Sequence, residues 1–154
     1  MKLTADDQIA FPQLASYLRR EMPLLIGNSI ITSNLRRFGS MDLSQARSAL
    51  MWDTEPLVTV TDLSSGQCGI PQADGCTRDT THIEIDDDIV AEFEANPQTN
   101  LRTTAFGRRV FLTGVCLLHE MCHWGNFVNG AAEPAGTDAG TQFENAVYGG
   151  PVPD

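Results

Sequence analysis

One stretch of this chain leaves little freedom in how the rest can fold. Val110, Phe111, Val115, Leu117 and Leu118 form an apolar segment that leads directly into His119-Glu120-Met121-Cys122-His123 and continues to Phe127. Apolar residues at that density read as a helix buried on most of its surface, around which the other elements must be arranged. His119 and His123 stand at i and i+4 on one face of that helix, about 6 Å apart along its axis, close enough for both imidazoles to bind one tetrahedral zinc ion. Glu120 lies to one side of the pair, where a carboxylate can take a proton from a zinc-activated water and later deliver it to a leaving amine. H-E-x-x-H is short enough to arise by accident, so its context decides. The chain has three histidines, and two of them fall in the pattern.

A catalytic zinc takes three protein ligands and keeps one position open, so another residue has to join the histidines. Cys116 faces the same way but lies about 10 Å of helical rise from His123, beyond the reach of a short thiolate. Glu133, Asp138, Glu144 and His82 remain. Glu144 is the expected third ligand: Thr141 to Tyr148 reads as a short helix with Phe143 and Val147 on its apolar side, and a reversal through Gly125, Gly130 and Gly136 returns it beside the first helix. Glu133, next to Pro134 in the small-residue stretch Asn129 to Gln142, reads as a solvated loop carboxylate. Tyr148 lies four residues beyond Glu144 on the same face, where its hydroxyl can donate to the oxyanion of a tetrahedral intermediate. The plainer alternatives are a surface carboxylate for Glu144, a packed aromatic for Tyr148 and a structural histidine for His82.

Periodicity and caps supply the remaining elements. Phe11 to Met22 has apolar residues at helical spacing and ends near Pro23; Leu24 to Phe38 continues as helix with a break at Gly27-Asn28 and a stop at Gly39. Asp42 and Gln45 are spaced as a capping box for a short helix through Ala49. Leu57 to Thr61 and Thr81 to Ile85 read as strands. Asp86-Asp87-Asp88 opens a helix through Phe93 that ends at Asn96-Pro97, with acidic residues where the helix macrodipole favours them. The active-site helix is expected from about Thr103 to Phe127. These elements predict an α+β, mainly α, fold with a small antiparallel sheet beside a long helix, in a single domain over residues 1–154.

Composition narrows the partners. Ten Lys and Arg against 20 Asp and Glu give a net charge of -10, which argues against nucleic-acid and anionic-membrane surfaces, both of which reward clustered basic residues. No apolar run is long enough to span a bilayer, and the N-terminal residues lack the apolar core of a secretory signal. Of the four cysteines, Cys116 and Cys122 are expected as buried thiols. Cys68 and Cys76 flank a turn-rich loop and can be bridged in an oxidising compartment.

Leu117-Leu118-His119-Glu120-Met121-Cys122-His123-Trp124-Gly125, followed by Glu133-Pro134, Phe143-Glu144 and Tyr148-Gly149, resembles the metallopeptidase toxin domains of bacterial polymorphic toxins. Among these are the C-terminal peptidase extensions of some type VI secretion VgrG spike proteins. The resemblance implies a zincin-like fold with an edge strand ahead of the active-site helix, a role open to Thr81 to Ile85. It also implies Zn2+ on His119, His123 and Glu144, with Glu120 as base. Gly140-Thr141 and Tyr148-Gly149 resemble the aspzincin signature Gly-Thr-x-Asp-x-x-Tyr-Gly, except that the acidic residue is Glu144 and its spacing to the tyrosine is one longer. The implied function is an antibacterial effector without its own signal peptide that cleaves protein or peptide substrates in the target-cell periplasm, with an immunity protein and a secretion spike as partners. Two other readings are a non-enzymatic zinc-binding adaptor and a zinc amidase acting on a non-protein substrate.

Overall fold

The computed structural model describes residues 1–66, 68–69 and 71–153. Its first half contains β1 (Lys2–Leu3), α1 (Ala5–Ala10), α2 (Pro12–Arg20), a 3-10 turn (Met22–Gly27), α3 (Ser29–Phe38) and α4 (Leu43–Leu50). There follow β2 (Leu57–Thr61), β3 (Gly75–Cys76), β4 (His82–Asp86), α5 (Asp87–Ala95), β5 (Leu101–Thr103), β6 (Arg109–Phe111), α6 (Leu112–Val128) and α7 (Ala139–Tyr148). α3, α4 and α5 begin with caps of their own where the residue pattern expects a break or a helix start, whereas α1, capped by Thr4, is a helix the pattern does not predict. Asn28 accepts the Ile30 and Ile31 N–H groups to start α3, and Asp42 and Gln45 form the reciprocal capping box of α4. Asp86 accepts the Asp88 N–H to open α5.

Two helices start without a cap of their own and borrow one from far along the chain. Gln13 and Leu14 at the head of α2 donate to the two carboxylate oxygens of Glu94 at 3.0 and 2.7 Å. At the head of α6, Leu112 N–H donates to the Asn100 carbonyl at 2.9 Å and Thr113 N–H to Asn100 Oδ1 at 2.9 Å. Asn100 is fully buried, and its amide in turn donates to Glu92 Oε2 at 3.1 Å. These bonds satisfy donors that a helix N-terminus otherwise leaves open.

The fold is α+β and mainly helical, with a sheet that is mixed rather than antiparallel. Its order is β1-β2-β4-β3; β1, β2 and β4 run parallel, and β3 is antiparallel to β4. Alternation identifies a strand and its faces but not its direction, and the connection 62–81 is long enough to return the chain to the same end of the sheet before β4 begins. In consequence β4 is paired on both sides, and the edge position expected of Thr81 to Ile85 belongs to β3. The long helix also begins later than expected. Residues 101–111 form the antiparallel β5–β6 hairpin, whose turn places Gly107 at φ +74°, a conformation glycine adopts without strain.

α6 packs against β3 and β4 on the sheet and against α3, α5 and α7. Leu117 and Met121 from α6, Ile83 and Ile85 from β4, and Phe143 from α7 have no exposed surface and belong to one continuous core. Cys68 and Cys76 are joined as a disulfide, and Cys116 and Cys122 are free and buried. Among the described residues no helix is long and apolar enough to cross a membrane.

Asn100→Ala leaves the Thr113 N–H at the buried head of α6 without its acceptor, while the Leu112 N–H keeps the main-chain carbonyl, and the expected loss is about 1–3 kcal/mol of folding stability. Urea unfolding followed by circular dichroism checks this; an unchanged midpoint would show that the remote cap contributes nothing.

Candidate metal centre

Between Leu112 and Asn126 every residue of α6 is buried except His119 and His123. The two rings reach out of the helix into a cleft of about 450 Å³, with their centroids 5.2 Å apart. Each ring is held from behind by a carboxylate: His119 Nδ1 lies 2.7 Å from Glu144 Oε1, and His123 Nδ1 lies 2.5 Å from Glu133 Oε1. An ionised carboxylate only accepts, so Nδ1 carries the hydrogen in both rings. With the rings neutral, that arrangement leaves the Nε2 lone pairs directed into the cleft.

Both Nε2 atoms face Asp138. His119 Nε2 is 3.4 Å from Oδ1, and His123 Nε2 is 3.4 Å from Oδ2. Ligand atoms that each sit about 2.0–2.1 Å from a tetrahedral zinc lie about 3.3–3.4 Å apart, the separation of each Nε2 from its Asp138 oxygen. Two overlapping groups, His119 with Glu120 and His123, and His123 with Glu133 and Asp138, each bring their ligand atoms within 4.8 Å of one another. Asp138 is also the N-cap of α7 and accepts the Thr141 N–H at 2.6 Å.

Glu144, the expected third ligand, stands on the Nδ1 side of His119, and its other oxygen accepts the Val152 N–H at 2.8 Å in a buried bond. Glu133 is not a free loop carboxylate: it holds His123 and accepts the Ala139 N–H at 3.1 Å. Tyr148 is buried, stacks edge-on with Phe143, and borders a separate cavity with Tyr17 rather than the cleft. His82 lies on the sheet beside Asp79 and Glu84, away from the paired histidines.

Glu120 is 6 % exposed, with Oε2 accepting from Thr77 Oγ1 at 2.8 Å and Oε1 lying 4.0 Å from His119 Nε2. Burial raises its pKa above the ordinary glutamate value, against the opposing pull of the two histidines. Burial opposes charge on His123, but the hydrogen bond to Asp138 and the Glu120 and Glu133 carboxylates outweigh it and lift its pKa to about 9. At His119 burial is likewise overcome, by Glu144, Glu120 and Asp138, and the pKa rises. The partner effect holds the Asp138 carboxyl well below its usual range, chiefly through the His123 hydrogen bond.

Two glycines give the site its close packing. A Cβ at Gly140 would lie 2.1–2.4 Å from ring atoms of His119, and one at Gly75 would lie 2.6 Å from Glu120 Cγ. Thr77, Gly75 and Gly140 are missing from the sequence-level candidates. In the sequence Gly140-Thr141 figures only as part of a signature; the approach of its backbone to the ring is a tertiary fact.

The family model described as metallopeptidase toxin 3 matches residues 7–149. No curated protein and no solved structure matches the chain.

Gly140→Ala forces His119 out of its rotamer or α7 away from α6, and displacing a ring anchored in this way is expected to weaken metal binding at least tenfold, on the scale set by loss of an orienting partner. Competition titration with a chromophoric zinc chelator measures it; affinity equal to that of the parent protein would show that the contact is dispensable.

Proposed function

From a chain that belongs to the metallopeptidase toxin 3 family, we propose a zinc-dependent peptidase in which His119, His123 and Asp138 hold the ion and Glu120 moves the proton. The observation that carries this reading is the division of labour on each imidazole, with Nδ1 bonded to a carboxylate and Nε2 turned to Asp138. Metal-binding histidines characteristically have such a carboxylate behind them, which fixes the ring and raises its basicity. Glu144 and Glu133 take that role here.

A zinc ion held by these residues supplies a Lewis acid that polarises the scissile carbonyl and brings the pKa of water close to neutrality. Glu120 accepts the proton of the attacking water and passes it to the departing amine, so that one water is consumed for each peptide bond cleaved. A buried carboxylate held beside the two histidines can serve both halves of that transfer. The edge strand β3 lies along the cleft, with Gly75 and Cys76 among its lining residues. β-Augmentation on such an edge gives main-chain recognition of a peptide.

The biological setting proposed is an antibacterial effector domain, delivered by a secretion-linked protein such as a spike, acting in the target-cell periplasm and neutralised in the producer by an immunity protein. The Cys68–Cys76 disulfide suits an oxidising compartment.

The test compares metal content and cleavage of unfolded protein and of cell-wall peptides across variants. Glu120→Gln is expected to keep its zinc and to lose about 10²–10⁴-fold in rate, the scale of a general acid–base contribution. Cleavage surviving that substitution would remove Glu120 as the base. Glu144→Gln and Glu133→Gln are expected to weaken zinc affinity about 10–100-fold, and Asp138→Asn by more than either. The reverse order, with Glu144→Gln the most damaging, would return Glu144 to the metal.

A further inference from the structure

The proposed base is steadied from outside its own helix. The two oxygens of Glu120 have different surroundings: Oε2 accepts from Thr77 Oγ1 at 2.8 Å, and Oε1 lies 4.0 Å from His119 Nε2. The same hydroxyl lies 3.2 Å from the Glu120 main-chain carbonyl, so Thr77 sits against both the backbone and the tip of the residue. The β3 backbone closes over the stem between them, since a Cβ at Gly75 would lie 2.6 Å from Glu120 Cγ and 2.8 Å from Cys116 Sγ. The Glu120 side chain is packed closely against the strand there, its Oε1 3.0 Å from the same Cβ position.

Thr77 is in turn flanked by two anchored residues. Cys76 is disulfide-bonded to Cys68, eight residues earlier, and stands opposite Glu84 in the β3–β4 ladder. Arg78 forms an ion pair with Glu84, a carboxylate that is itself largely buried. The edge strand is short, so these ties from its neighbours, more than its own ladder, fix where the Thr77 hydroxyl stands.

We propose that Thr77 is a positioning residue for the reaction: tied by the Cys68–Cys76 disulfide and the Arg78–Glu84 pair, its hydroxyl immobilises Oε2 of Glu120 and thereby aims Oε1 at the space beside the histidines. The inference rests on the reading of Glu120 as the base. A carboxylate that must find its orientation at each turnover transfers a proton less often than one held in place, so the effect falls on kcat and leaves substrate binding alone. Reduction of the disulfide by an external dithiol, which is itself oxidised to a disulfide as Cys68 and Cys76 become thiols, reaches the base by the same route, because it frees the residue next to Thr77.

The experiment measures kcat, KM and zinc content for the wild type, Thr77→Val, Thr77→Ser and Cys68→Ser/Cys76→Ser. Thr77→Val keeps the shape and removes the hydroxyl; it is expected to lower kcat about 10–100-fold while KM and zinc per chain stay within about twofold. Thr77→Ser restores the donor and is expected within about threefold of the wild type. The cysteine variant is expected to lose kcat as well, and combining it with Thr77→Val is expected to cost less than the product of the separate losses, as for residues acting through one contact. A Thr77→Val enzyme within about twofold of wild-type kcat, or a Thr77→Ser enzyme as slow as Thr77→Val, would overturn the proposal. Losses that multiply would overturn the part assigned to the disulfide.

A second readout needs no catalysis. In the metal-free protein, the shift in urea midpoint for Thr77→Val combined with Glu120→Gln is expected to be smaller than the sum of the single shifts, and additive shifts would deny the bond. A wild type with no metal-dependent cleavage would refute the reading of Glu120 as base, whereas an active wild type with an equally active Thr77→Val would refute only this inference.

Discussion

Burial of α6 on nearly every side is the constraint from which the rest of the structure follows. A helix apolar all round has no solvent face of its own, so its two imidazoles must meet the cleft where sheet and helices leave a gap. Polar groups taken that far from water need partners. Glu120, Glu133, Asp138 and Glu144 gather around His119 and His123. Four acidic side chains face two imidazoles there, a surplus that suits a bound cation. The same acidic side chains outweigh burial and raise the pKa of both histidines.

The parts of the fold that were legible in the sequence are those determined locally. Asn28, Asp42 with Gln45, and Asp86 each bond to donors within a few residues, so their helices could be placed from the residue types alone. β2 matches its expected range because its β-branched run is bounded by turn residues. The remote caps were not legible. Nothing near α2 announces Glu94, and nothing near α6 announces Asn100, since both bonds exist only after the chain has folded back. Strand direction failed for a related reason: it is a property of the connection, not of the strand.

At the site, the sequence pattern identifies the paired histidines and the glutamate between them because all three sit on one helix with known geometry. It is weaker where a second element must be docked. Placing α7 beside α6 was legible from Phe143 and Val147, yet choosing among its carboxylates required knowing which ring nitrogen each one faces. Asp138 and Glu144 are separated by less than two turns, and the difference decides whether a side chain meets Nε2 or Nδ1. Tyr148 illustrates the same limit: four residues from Glu144 on the same face, it nevertheless turns into the core beside Phe143.

Asp138 joins two events that most proteins keep apart. It terminates α7, taking the Thr141 N–H, and the same carboxylate faces both histidines. A helix terminus and an ion that share one anion become linked equilibria: order in the first turn of α7 presents the carboxylate, and occupancy of the site holds that turn in place. On the proposed assignment, α7 is therefore a latch whose closure is registered by the ion.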